Sequence, residues 1–421
     1  MKRAPFVPPL TERRIQLEAV LLGLFVWVSL VLTVAGRPGY SDFLQFYTQG
    51  TIALQRNTGL LYDFAAQTAF AHDLLPGSQD VPCIPVHPPQ VSVLFSMFAK
   101  MTYSHAVQLW WLITCAGYAF CCYGLWVACP NLRRCPAAVA LAAASFPGLL
   151  YLIKFGQTTV IALVAFTWAF YCLRGNRQFA AGLAIGLLAY KPQLGLVAAG
   201  IFLLTRAWRV VAGALVTGLG QYALACWWYK KLIVLDFLAV LGKLPSLDIG
   251  AYEPKEWAMH SLRPFWRMLL PSSTLAFSLY VGTAVAVFLC CLRIWKSARP
   301  LPLRFAAFLL ATVLVDPHLY IYDLVVMAPA LMLLADWRLG LQAQHNRLFS
   351  ALLYLTYGSS LLVGIAQNNF VSIFFIVVSA ALFWFLYLQG TGEPAKAGCL
   401  PLVLSGSEAK RAPSLSSGSG I

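Results

Sequence analysis

The chain has 421 residues, 60% of them hydrophobic and only 11% charged, against about 25% charged in ordinary soluble domains. A soluble core of this size has no room for so many apolar side chains, which excludes a water-soluble globular protein. The net charge of +15 is not the footprint of a nucleic-acid binder. The basic residues fall in short clusters between apolar runs, the pattern that orients membrane helices, and no RNA-binding signature, basic helix or zinc-finger spacing accompanies them.

Apolar runs long enough to cross ~30 Å of hydrocarbon recur along the chain. The first, 15–35, follows Lys2, Arg3, Arg13 and Arg14. It is long for a signal peptide, and Val34-Ala35-Gly36 is a poor cleavage site, so it reads as an uncleaved helix preceded by a cytoplasmic N-terminus, 1–15. A long aromatic loop, about 37–88, then carries Asp42, Asp63, Asp73 and Asp80. A short apolar segment spans 90–103. Further segments are predicted near 106–128, 137–152, 158–173, 179–204, 208–228, 274–294, 304–316, 320–335, 348–366 and 371–388. A second long loop, about 229–271, holds Asp236, Asp248, Glu253 and Glu256. The tail, 389–421, has the Gly-, Ser- and Pro-rich composition of a disordered cytoplasmic segment. The expected fold is an all-α polytopic membrane protein of roughly 10–13 segments, with 16–388 as its transmembrane domain and external juxtamembrane helices. Most of the eleven cysteines lie inside apolar runs without the spacing of a disulfide framework, and read as small buried hydrophobes.

Charge sign sorts the loops. Arg133/Arg134, Arg174/Arg177, Arg206/Arg209 and Arg293/Lys296/Arg299 have no acid beside them, and the positive-inside rule places all four in the cytoplasm. That arrangement requires 90–103 to be re-entrant or peripheral. It also requires 179–204 to be a hairpin bent at Lys191-Pro192-Gln193, where proline removes a donor and clashes with the preceding turn. The competing topology lets both segments cross and leaves Arg133/Arg134 and Arg174/Arg177 outside. Under the first arrangement Lys154-Phe-Gly-Gln157, Lys191 and Asp316-Pro-His318 converge on one external face.

Several polar residues invite chemistry. Asp42, just past the first helix, has the placement of a general base for a sugar hydroxyl, or of a simple helix N-cap. His87, ahead of Pro88-Pro89, suits a sugar or phosphate, or is an interfacial histidine. Lys154 and Gln157 interrupt an apolar stretch, and Lys154 stands where a lysine snorkels. Lys191 lies centrally in its run, where an ionisable residue calls for a buried anion partner, and a polyprenyl phosphate would serve. Asp316-Pro-His-Leu-Tyr-Ile-Tyr-Asp323 matches no tight metal-ligand spacing, so no metal or other cofactor is expected, and His318 reads as a donor to a phosphate or hydroxyl. The segment Tyr252 to Arg267 includes Trp257, His260, Arg263, Trp266 and Arg267. It reads as a sugar platform with a phosphate clamp, or as an amphipathic helix on the membrane surface.

The order of these motifs resembles glycosyltransferase family 87, polyprenyl-phosphate-mannose-dependent mannosyltransferases of the GT-C superfamily. The resemblance rests on Ser41-Asp42-Phe43 with Tyr47, Leu61-Tyr62-Asp63, Pro88-Pro89, Gly156-Gln157, Gly182 to Lys191, Arg206-Ala-Trp-Arg209, and Pro317-His318 with Tyr322-Asp323. It implies a GT-C-like bundle in the cell inner membrane with its site on the external side. It also implies inverting transfer of a sugar, most typically mannose, from a polyprenyl-phosphate-sugar to a lipid-linked or glycan acceptor. Asp42 inherits the role of base; Lys191, His318 and Arg263 would neutralise the donor phosphate; His87, Gln157 and Tyr47 would contact substrate. His87 and Asp316 depart from the family pattern. The rival readings are a polytopic transporter, against which stands the lack of a second broken helix, and a non-catalytic partner in envelope-glycan assembly.

Overall fold

The computed structural model describes residues 42–78, 83–243, 256–340, 347–366 and 368–389, with the isolated positions 17, 21, 23 and 24. The rest of the first apolar run, Ser41, Asp80, Asp248, Glu253 and the tail from residue 390 lie outside the described residues.

In chain order the main helices are α1 (Phe43–Gln55), α2 (Phe64–Leu74), α3 (Pro89–Phe95), α4 (Tyr103–Ala128), α5 (Pro136–Ala144), α6 (Pro147–Phe155), α7 (Val160–Arg174), α8 (Gln178–Gly186), α9 (Leu196–Leu204) and α10 (Trp208–Tyr229). There follow α11 (Ile233–Lys243), α12 (Leu262–Leu269), α13 (Ser273–Lys296), α14 (Leu301–Val315), α15 (Met327–Gly340), α16 (Arg347–Ile365) and α17 (Asn369–Leu388). Among the described residues there is no β-strand, only one isolated antiparallel bridge between Met259 and Tyr320. The protein is an all-α polytopic membrane protein. Among the described residues six helical segments are long and apolar enough to span: α4, α5 with α6, α10, α13, α16 and α17. Four shorter apolar ones, 160–174, 178–190, 192–204 and 301–315, complete the bundle. Leucines on α10 and α13, such as Leu215, Leu219, Leu275 and Leu289, are exposed, as helices facing lipid require. The centre is α14, buried at Leu303 and continuously from Phe305 to Leu314.

The helix directions follow from their contacts. Phe166 meets Phe308 and Phe170 meets Phe305, so α7 and α14 are antiparallel. Gly182 lies against Val210 and Gly213, and Gly186 against Ala214 and Thr217, so α8 and α10 run parallel. Because α9 joins α10 through only residues 205–207 and returns against it, the 178–204 run is a hairpin that turns at Lys191. Residue 191 sits between two 3₁₀ turns, Leu187–Tyr190 and Pro192–Gly195, with φ −138° and ψ 72°. The 90–103 segment is likewise short. Helix α3 has seven residues, about 10 Å at 1.5 Å per residue, far below a bilayer core.

These directions gather all four basic clusters at one end. An Arg174 Nη1–H donates to Ala128 O at 3.4 Å, joining the ends of α7 and α4. Asp336 near the end of α15 accepts the Asn131 and Leu132 N–H groups at 2.7 and 3.0 Å, beside Arg133/Arg134. Arg299 donates to Leu386 O and Tyr387 O at the end of α17, and the antiparallel α14 brings its start beside Arg174. The arrangement is the one the charge-sorted topology requires, and the competing topology does not have it. One expected segment begins late: the 320–335 run is helical only from Met327, after a 3₁₀ turn at Ile321–Val326. Asp323 turns back there to accept the Tyr320 N–H.

A Cβ on Gly182 would lie 2.1 Å from Val210 O and 2.9 Å from Gly213 Cα, both backbone atoms, whereas one on Gly282 meets nothing within 4 Å. Gly182→Ala is expected to lower stability by about 1–3 kcal/mol, the cost of overpacking a close contact. Thermal unfolding of the detergent-solubilised protein, with Gly282→Ala as the neutral control, measures it.

Candidate active site

At the end opposite the basic clusters lies a cavity of about 740 Å³. Its polar lining includes Asp42, Gln45, His87, Gln157, Lys191 and Asp323, and its far wall Trp257, His260, His318, Tyr320 and Tyr322. Leu196, Phe237 and Leu241 make an apolar side formed by α9 and α11.

The carboxylate of Asp42 stands at the start of α1 but does not cap it. The residue has helical φ −55° and ψ −16°, and its side chain makes no hydrogen bond to the helix N–H groups. Instead Asp42 Oδ2 accepts from Gln157 Nε2 at 2.6 Å. Removal from bulk water raises the Asp42 carboxyl above its ordinary range, opposed by the Gln157 hydrogen bond and the Lys191 charge. Gln157 is held in turn by the turn between α6 and α7. Its carbonyl accepts from Trp110 Nε1 at 3.3 Å, and Gly156 adopts a left-handed φ of 64° hard against Phe43.

Lys191 is 8% exposed, and its anion partner is part of the protein. Its Nζ donates to Asp323 Oδ1 at 2.5 Å and to Thr159 Oγ1 at 3.1 Å, and lies 5.0 Å from the centre of the Tyr322 ring. The Thr159 hydroxyl also donates to Asp323 Oδ1. Contacts between Ala189 and both Gly218 and Tyr222 set the depth of this group. Helix α10 continues to Tyr229, so Lys191 lies roughly 10 Å short of that helix's end.

The histidines are uncharged walls. Burial, helped by the Lys191 charge, pushes His87 down to about 3; its ring packs edge-on against Phe46 at 4.7 Å and its Nδ1 lies 3.4 Å from Gln45 Nε2. Burial also pushes His260 down to about 3. Its backbone N–H donates to Leu319 O at 2.8 Å, which ties the 256–260 segment to the 316–320 loop. Asp316 is buried behind that loop. Desolvation pushes it up to about 7 against the hydrogen bond from the His318 N–H, which is 2.7 Å long. Among the described residues no group of three His, Cys, Asp or Glu side chains is placed to hold a metal ion.

Five of the seven sequence candidates, Asp42, His87, Gln157, Lys191 and His318, line one cavity. Tyr47 does not: its hydroxyl donates to Met101 O at 2.8 Å and its ring meets Tyr103 edge-on. Five residues along a helix is ~140° from Asp42 around the axis, so the two side chains leave α1 on different faces. Arg263 also stands outside the lining, exposed on α12, with its Nη1 3.4 Å from Pro317 O behind His318. Trp266 is turned away onto Thr283, while Trp257 and His260 of the same stretch reach the cavity. Lys154 lies over the Tyr151 and Phe155 rings at the end of α6, as a snorkelling lysine does. Sequence reading missed Asp323 and Thr159 as the partners of Lys191; a buried lysine signals that a partner exists, but not which one. Gly156→Ala would force a Cβ within 2.6 Å of Phe43 Cβ at positive φ. It is expected to cost more than ~1 kcal/mol and to loosen the Gln157–Asp42 contact, measured as a lower melting temperature together with reduced activity.

No curated protein and no solved structure matches the chain. The sequence profile described as glycosyltransferase family 87 matches residues 86–317, more than half of the 421 residues; the stretch includes His87, Gln157, Lys191 and His260 of the cavity lining, whereas Asp42, His318 and Asp323 lie outside it. On that match the chain belongs to glycosyltransferase family 87.

Proposed function

We propose that the protein is a GT-C-type enzyme that transfers a sugar, mannose in the first instance, from a polyprenyl-phosphate-sugar to a lipid-linked or glycan acceptor, with inversion. The observation that carries the proposal is the joint presence of Asp42 and Lys191 on one cavity wall, with Lys191 about 10 Å below the end of a spanning helix. A buried cation there supports an anionic group on a lipid donor, and the apolar side formed by Leu196, Phe237 and Leu241 suits the first isoprene units.

In this reaction the acceptor hydroxyl gives its proton to the Asp42 carboxylate as its oxygen attacks the anomeric carbon. The bond from that carbon to the phosphate oxygen breaks on the opposite face, and the polyprenyl phosphate leaves with the electron pair. A glycosyl phosphate already carries a good leaving group, so the protein's task is a positioned base and positive potential near the departing phosphate. Lys191 supplies that potential, with His318 as a neutral hydrogen-bonding group and Arg263 within reach behind it. His87 and Gln157 border the base and would orient the hydroxyl. The four basic clusters at the opposite end support a cytoplasmic placement of that end and an external, periplasmic placement of the site in a bacterial-type inner membrane. The N-terminal residues and the tail from 389 would then be cytoplasmic flanks of one transmembrane domain.

Reconstitution with polyprenyl-phosphate-mannose and a lipid-acceptor mixture tests the reading. Asp42→Asn is expected to lower transfer by about 10²–10⁴-fold, the span of general-base contributions; unchanged transfer would remove Asp42 from the mechanism, and no transfer by the wild type from any polyprenyl sugar would favour a transporter or assembly partner. The base acts ionised, so the rate is present above its pKa and lost as pH falls through it. Because the Asp42 carboxyl is raised from 3.8, the acid limb of kcat/KM is expected above that ordinary value, and a limb at or below it would contradict this environment. For orientation, Arg133→Cys in a background free of reactive cysteines is expected to resist an impermeant thiol reagent applied from outside; labelling there would reverse the placement.

A further inference from the structure

A lysine on a flexible four-carbon stem beside a carboxylate ordinarily pairs with it. Such a pair favours the ionised acid and occupies the oxygen lone pairs, which weakens the carboxylate as a base. Lys191 is the cation whose charge bears on Asp42, and both line the same cavity. Yet the hydrogen bond found for Asp42 comes from the neutral amide of Gln157, while the ammonium is directed to Asp323.

Asp323 is built to keep it there. It is 2% exposed, and its second oxygen, Oδ2, accepts the Tyr320 N–H at 3.2 Å at the start of the 321–326 turn. Oδ1 receives the Thr159 hydroxyl as well as Lys191. Thr159 touches both members of the pair, and Tyr322 lies against the ammonium. A carboxylate anchored at both oxygens by rigid elements cannot follow a moving lysine; the lysine must stay with it. Of the three N–H donors of an ammonium, two are directed to Asp323 and Thr159. That leaves one for the cavity.

We infer that Asp323 is a positioning residue that holds Lys191 away from Asp42, keeping Asp42 free to take the acceptor proton while one ammonium donor remains available to the leaving phosphate. This rests on the reading of Asp42 as the base, but the state of the carboxylate can be measured without any substrate. Removing the Asp323 charge releases Lys191 to pair with Asp42. That pairing lowers the Asp42 midpoint and stalls proton transfer.

The experiment is a pH titration of the purified protein by infrared spectroscopy, with the Asp42 carboxyl band assigned by its loss in Asp42→Asn. In Asp323→Asn the Asp42 midpoint is expected to fall by at least one pH unit, a tenfold change in acidity. In the double variant Asp323→Asn with Lys191→Met the midpoint returns to or above the wild-type value. Asp323→Ser, whose hydroxyl can still accept the Tyr320 N–H, is the second charge-removing variant and is expected to show the same fall. Transfer assays run alongside should show kcat falling at least tenfold with a smaller change in donor KM. A midpoint in Asp323→Asn or Asp323→Ser that stays put or rises would overturn the inference. A lowered midpoint in a protein that transfers no polyprenyl-linked sugar would leave the inference standing and the proposed donor refuted.

Discussion

The site depends on one four-residue turn, Gly156 to Thr159, between two apolar helices. Gly156 takes a left-handed conformation that lets the chain pass against Phe43, where a side chain would collide. The next residue, Gln157, then reaches Asp42, the Thr158 carbonyl accepts the Tyr190 hydroxyl at 3.1 Å, and Thr159 meets both Lys191 and Asp323. Residues from three distant parts of the chain are thus referenced to one short piece of backbone. Helices α6 and α7 fix that piece through contacts with α4, α14 and α16 that bury large aromatic rings. The chemistry can be polar because its supports are not.

Desolvation explains why the polar groups are arranged as they are. An unpaired buried charge costs several kcal/mol, so Lys191 is compensated by Asp323 and by hydroxyl and ring contacts rather than left open to the hydrocarbon. The Asp42 carboxyl has a neutral amide as its hydrogen-bond donor, which holds its orientation without neutralising it. His87 and His260, pushed far below neutrality by burial, add hydrogen-bonding edges without charge. Four clusters of arginine and lysine stand at the other end of the bundle, where they cap the spanning helices. One end orients the protein and the other carries its site.

Much of this was legible in the chain. Composition and run length gave the class, and the sign of the loop charges gave helix directions that the contacts reproduce, including the hairpin at Lys191-Pro192. Local rules did less well on single side chains. Asp before an aromatic helix satisfies the capping rule, yet Asp42 turns to Gln157, 115 positions away, because a helical φ and ψ at residue 42 point the carboxylate elsewhere. Tyr47 shares a motif with Asp42 but leaves the helix on another face. The partner of Lys191 lies 132 positions further on, and no periodicity in a single sequence reports a pairing made across the bundle. The 320–335 run looked like a plain apolar helix because Asp323 reads as one interruption, not as the anchor of a turn.

The central claim is that the sugar-phosphate bond is broken between Asp42 and Lys191. A structure of the protein with a non-hydrolysable polyprenyl-phosphate-sugar analogue bound tests it most directly. The account predicts the phosphate within hydrogen-bond distance of Lys191 Nζ, with the anomeric carbon between that phosphate and the Asp42 carboxylate. A phosphate seated away from Lys191, or an anomeric carbon with Asp42 on the same side as the phosphate, would contradict it.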